Sequence, residues 1–105
     1  MEISVLKEAI NKHRLKVTDH ADEEMAADEL ILGEILYSVL HGEIIEDYPD
    51  DFPFPSCLIF GRNSGGEEIH SVWAYEELKE IAILVTVYRP DSEEWINWRR
   101  RVENE

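Results

Sequence analysis

The chain has 105 residues and a mass of 12.3 kDa, the length of one domain with one hydrophobic core over residues 1–105. Its net charge is −14, from 24 acidic and 10 basic residues, a balance that repels nucleic acid unless the few cations are gathered in one place. Charge-free stretches are too short to span a bilayer, the start lacks the basic and apolar parts of a secretory signal, and the single cysteine, Cys57, allows no internal disulfide, so the cytoplasm is the expected setting.

Residues 3–13 read as an amphipathic helix, with Ile3, Leu6, Ala9, Ile10 and His13 recurring at three- and four-residue spacing. Residues 14–18 alternate polar and apolar, as a short extended segment does. Thr18 and Asp19 are N-cap residues for a weakly apolar helix over about 19–29 that rests on the domain. A stronger stripe, Ile31, Leu32, Ile35, Leu36, Val39 and Leu40, marks a third helix, with Gly42 at its C′ position. Three runs of strand formers follow, Glu43–Tyr48, Ser56–Arg62 and Glu68–Tyr75, with the turn Asn63-Ser64-Gly65-Gly66 between the last two. Ile81–Tyr88 is almost wholly apolar. It reads as a central antiparallel strand covered on both faces, beside the hairpin of residues 56–75 and under the 31–41 helix. On that reading an acid at Val85 unfolds the domain. After Pro90, Asp91-Ser92-Glu93-Glu94 opens a short C-terminal helix carrying Trp95, Ile96, Trp98 and three arginines. The expected fold class is α+β: N-terminal helices packed on a mainly antiparallel four-stranded sheet, with a short C-terminal helix.

The cations are segregated. Val17 to Gly61 holds 12 acids and no Lys or Arg, while Lys7, Lys12, Arg14 and Lys16 precede it and Arg99, Arg100 and Arg101 close the chain. With one cysteine and four histidines, the usual four-ligand zinc spacings are out of reach, and no metal or other cofactor is expected. The acidic loop 46–51 lacks the alternating order that wraps calcium and reads as a solvated face. The residues left for chemistry are histidines, arginines and tyrosines. His20 opens the second helix. His70 lies in a strand, Arg62 ends the preceding strand across the hairpin, and Tyr88 and Arg89 end the last one. Two imidazoles with a guanidinium and a phenol suffice for metal-free RNA cleavage: one base takes the ribose 2′-proton, one acid protonates the departing 5′-oxygen, and Arg steadies the phosphorane. Each residue also has an ordinary structural role: an ion pair for Arg62, a half-buried hydrogen bond for His70, a core aromatic for Tyr88.

Several stretches carry a family resemblance: Thr18-Asp19-His20-Ala21 with Met25; Leu40 to Asp51; Pro55-Ser56-Cys57-Leu58; Gly61-Arg62; Ile69-His70-Ser71-Val72 with Ala74-Tyr75; and Thr86-Val87-Tyr88 with Pro90 and Trp95. Over about residues 18–95 the chain resembles the bacterial domain-of-unknown-function family numbered 4258. The resemblance implies a compact α+β domain similar to the RelE and barnase–EndoU–colicin group of small RNases, often toxins beside a small antitoxin. It implies catalysis by His20, Arg62, His70 and Tyr88. On an RNA-cleaving reading, Arg62 and Arg89 are expected to bind the substrate, and His70→Ala is expected to leave stability nearly intact. The sequence departs from the family pattern where that pattern is basic: Glu24, Asp28 and Phe52 stand at three such places. A rival reading therefore stays open, a non-catalytic module that keeps the fold and binds a basic protein partner through its acidic helical face.

Overall fold

In a computed structural model describing residues 1–103, the first helix, α1 (Ile3–Asn11), buries Leu6, Ala9 and Ile10, the apolar face that its spacing announces. His13 takes the left-handed conformation (φ 58°), and the Arg14 N–H donates to the Ala9 carbonyl, closing the helix. The chain then enters β1 (Leu15–Val17). Thr18 caps α2 (Asp19–Ala27): its hydroxyl accepts from the Ala21 N–H at 3.1 Å and donates to the Val85 carbonyl at 3.0 Å. That pair of bonds ties the start of α2 to the sheet. α2 buries only Ala21, and α3 (Leu32–Leu40) buries Ile35, Ser38 and Val39.

Four strands follow: β2 (Glu43–Tyr48), β3 (Ser56–Arg62), β4 (Glu68–Glu76) and β5 (Ile81–Tyr88). They form an antiparallel meander, and β1 adds to its end in parallel with β5, giving the order β1-β5-β4-β3-β2. The sheet is therefore five-stranded and mixed, not the four-stranded antiparallel sheet expected. β1 escapes a sequence reading because three residues carry too little pattern; its place is set by backbone bonds of Ala82 to Arg14 and of Thr18 to Leu84.

Ile81–Tyr88 is internal but not the middle strand, and its burial alternates instead of being complete. Between the pairs Val72–Thr86 and Trp73–Leu84 the register slips, leaving Val85 unopposed in a bulge. Leu84 and Val87, three apart, thus both point into the core, while Val85 is only half-buried. α3 packs on β3 and β4, whereas α2 and α1 meet β5, so the helix expected over β5 lies elsewhere.

The three helices cover one sheet face, where Cys57, Ile59, Ile69, Trp73, Ala82, Leu84 and Val87 meet Leu6, Ile10, Ala21, Ile35 and Val39. Two glycines permit the close approach of α3. A Cβ at Gly42 would lie 2.5 Å from the Ser38 carbonyl oxygen, and one at Gly61 would lie 1.9 Å from the same atom. Gly42 serves here for contact, since its φ is not left-handed. Cys57 lies in this core, its Sγ 3.9 Å from the Met1 Sδ, and burial pushes its thiol up to about 12. A thiol reagent is therefore expected to label native protein far more slowly than urea-unfolded protein, read by absorbance of the released chromophore; equal rates would show an accessible thiol.

The other sheet face is covered by the C-terminal residues, and not by a helix. Asn97 and Trp98 are both left-handed (φ 56° and 64°), which no helix accommodates. They turn the chain between two short strands, β6 (Trp95–Ile96) and β7 (Arg100–Arg101). Trp95 is buried against the sheet while Ile96 stays exposed, an alternation that a hairpin supplies.

Candidate functional site

Along β4 the two-residue alternation sends Ile69, Ser71 and Trp73 toward the helices and His70 toward the C-terminal hairpin. The register places Phe60 of β3 and Tyr88 of β5 directly beside His70, so three rings form a row across the sheet. Ring centroids are 5.8 Å from His70 to Phe60 and 5.3 Å to Tyr88, and the Trp95 ring stands edge-on 4.4 Å away. His70 has 0% exposure.

Both ring nitrogens of His70 are engaged. Nε2 donates to the Trp98 carbonyl at 2.7 Å, and Nδ1 accepts from the Tyr88 hydroxyl at 3.1 Å. A carbonyl only accepts, so these partners assign the proton to Nε2. Burial lowers the His70 pKa, and the smaller opposing effects of the Trp98 bond and the Glu46 charge do not reverse it. Burial likewise pushes Tyr88 up to about 12. The pair is a neutral imidazole and a protonated phenol.

Glu46 and Tyr48 of β2 border this cluster. The Tyr48 hydroxyl donates to Glu46, and Arg101 donates to both Glu46 oxygens at 2.8 and 3.1 Å. Burial raises the Glu46 pKa, but the bonds from Arg101 and Tyr48 outweigh it and hold the carboxyl below its usual range. The Arg101 guanidinium lies 4.8 Å from the Trp95 ring centroid, over its face.

Of the residues that the sequence singles out, His70 and Tyr88 come together. His20 is exposed in the first turn of α2 and takes no part in the His70 hydrogen-bond network. Arg62 is exposed at the end of β3, 3.6 Å from Glu68, with its guanidinium 5.1 Å from the Phe60 ring centroid. Arg99 lies 4.8 Å from the same ring and pairs with Glu43. These arginines line a shallow cleft of about 240 Å³ with Tyr37, His41 and Asn63. Arg89 is occupied in holding two elements together. Its N–H donates to the Asp28 carboxylate, its Nε to the Asp28 carbonyl at 3.1 Å, and its Nη1 to Glu67 at 2.7 Å. Asp28, the acid at a place where the family pattern is basic, thus fastens the end of α2 to the end of β5.

Glu46, Tyr48, Trp95, Arg101 and the Trp98 carbonyl complete the cluster and were not legible as site residues. The signal for Glu46 and Tyr48 was alternation along β2, masked by a bulge at Ile45. Among the described residues, no group of three or more His, Cys, Asp and Glu side chains is arranged to hold a metal ion, and no helix is long and apolar enough to cross a membrane.

A family model described as Domain of unknown function (DUF4258) matches residues 17–89. No curated protein and no solved structure matches the chain. The matched span runs from the end of β1 through β5 and holds His20, Arg62, His70, Tyr88 and Arg89. α1 and the hairpin that covers His70 lie outside it.

Proposed function

The chain belongs to the DUF4258 family, and from that premise we propose that this member acts in the cytoplasm as a non-catalytic protein-interaction module on an RNase-toxin-like fold, with a basic protein as its partner. The enclosure of His70 carries the reading. Acid–base cleavage of RNA needs an imidazole within hydrogen-bond reach of the ribose or of the departing oxygen. His70 has no exposed surface, and its two nitrogens are held by Tyr88 and Trp98. Arg62 and Arg89 are paired with acids, and a net charge of −14 opposes an RNA approach while it attracts a basic protein.

One observation favours a second reading, the metal-independent endoribonuclease beside a small antitoxin. The hairpin over His70 lies outside the family match, and ion pairs with exposed arginines, Arg99 with exposed Glu43 and Arg101 with half-buried Glu46, help to hold it. An exposed pair such as Arg99–Glu43 contributes little, about 0–1 kcal/mol. If the hairpin lifts, His70 and Tyr88 meet solvent on the sheet face that Arg62 borders.

The test is cleavage of mixed RNA oligonucleotides in EDTA, with and without ribosomes, by the native chain and by the Arg99→Glu/Arg101→Glu variant that loosens the hairpin. The module reading expects no cleavage by either. Products ending in 2′,3′-cyclic phosphate, a bell-shaped pH profile and a roughly 10²–10⁴-fold loss in His20→Ala would establish the ribonuclease instead. His20 is the clean control, because it is exposed and its removal leaves the core intact.

A further inference from the structure

Two loops meet at the sheet end opposite the Arg62 cleft: residues 49–55 between β2 and β3, and residues 77–80 between β4 and β5. The Tyr75 N–H donates to the Pro55 carbonyl at 3.1 Å, joining one loop to the strand that leads into the other. Between them runs an apolar groove of about 480 Å³, lined chiefly by Met1, Phe54, Pro55, Tyr75 and Leu78. Beside it Phe52 is 91% exposed and Leu78 is 99% exposed, the two most exposed large apolar side chains among the described residues. Single exposed apolar residues are ordinary, but two beside an apolar groove mark a contact surface.

The groove is preformed. Pro49, Pro53 and Pro55 restrict the backbone of the first loop. Asp51 braces it further, accepting from the Ser56 hydroxyl at 2.6 Å and from the Phe52 N–H at 3.2 Å. A surface already held in shape loses little freedom on binding. Charge then selects the occupant. Asp47, Asp50, Asp51, Glu76, Glu77 and Glu80 stand in or beside these loops, and the cations paired with them are Lys79, 3.7 Å from Glu76, Arg14, 2.5 Å from Glu80, and the Met1 amine, 2.9 Å from Asp47. The rim is negative and its centre apolar.

We infer that this groove docks a basic segment of a protein partner, one that carries a large apolar anchor flanked by Lys or Arg. The inference rests on the module reading and names its surface. The apolar anchor fills the groove against Phe54, Tyr75 and Leu78, and the flanking cations meet the carboxylate rim. Steering by the rim raises the association rate and makes binding salt-sensitive.

The test is an NMR titration of the ¹⁵N-labelled full chain with a synthetic amphipathic Leu/Lys peptide, beside a Leu/Glu peptide of the same pattern. Shifts confined to residues 49–55 and 75–79, binding that weakens with salt, and no response to the Leu/Glu peptide are expected. Phe52→Ser/Leu78→Ser should weaken the Leu/Lys complex about tenfold or more with an unchanged melting temperature, since both side chains are exposed. No peptide binding, or binding that the double variant leaves unaltered, overturns the groove. Shifts centred on Phe60 and Arg99 also overturn it, while leaving the module reading in place. A concentration-dependent dimer by light scattering that the double variant abolishes makes a second copy the occupant and overturns the basic partner. RNA cleavage lost in His20→Ala removes the module reading itself.

Discussion

Replacing Leu84 by Asp is expected to leave the chain unfolded at room temperature. Leu84 has no exposed surface and sits opposite Trp73 in the core. The substitution removes a packed side chain and places a carboxylate where the core offers no cation. An unpaired buried charge costs several kcal/mol, and the lost packing about 2–5 more, against a total stability of roughly 5–15. Far-ultraviolet circular dichroism and tryptophan fluorescence read the outcome directly. Val85→Asp, one residue on, is expected to cost much less, because the bulge leaves that side chain half-buried. Val87→Asp should again be severe. The order severe, mild, severe at 84, 85 and 87 tests the bulge itself. Equal damage at 84 and 85 would show that Ile81–Tyr88 is covered on both faces after all.

His70→Ala is expected to destabilise the fold by roughly 3–5 kcal/mol. It leaves a cavity among Phe60, Tyr88 and Trp95 and strips the Trp98 carbonyl and the Tyr88 hydroxyl of a partner. For a domain of this size each kcal/mol lowers Tm by about 4–8 °C, so the variant should melt well over ~10 °C lower. A melting temperature within a few degrees of the native value would mean that His70 does not hold the hairpin. The sequence reading expected near-intact stability for this substitution; burial under the hairpin reverses it.

The same residue sets a pH dependence. Burial lowers its pKa in the fold below the ordinary 6.5, so below that pH the unfolded chain binds a proton that the folded chain refuses. The contribution is therefore complete above about 6.5 and declines as pH falls toward the folded value. His70→Gln should lack this slope in denaturant titrations across that window. The Glu46 contribution is lost at lower pH, as acid protonates a carboxyl held below 4.5.

Elements with local causes can be read from the amino-acid order alone. Glu43–Tyr48, Ser56–Arg62 and Ile81–Tyr88 are strands at the bounds their strand formers mark. The turn at 63–66 is legible because Asn63 closes it with its own side chain, accepting from the Gly65 and Glu67 N–H groups, while Gly66 takes φ 85°. The helical stripe of residues 31–40 and the Thr18 cap are equally short-range signals. The pairing of His70 with Tyr88 was half-legible, since both polar residues stand out in apolar strands, but register alone makes them neighbours. Everything else depends on long-range contacts. β1 joins the sheet through backbone bonds to residues nearly seventy positions away. The bulge at Val85 shifts the inward face of β5 without any Gly or Pro to announce it. The C-terminal segment has acids and tryptophans at helical spacing, yet folds as a hairpin, because burying Trp95 on His70 and giving the Trp98 carbonyl to its Nε2 outweighs a weak local preference. The same hairpin converts His70 from a candidate base into a buried, neutral support, because hydrogen-bond partners and solvent access belong to contacts between segments far apart in the chain.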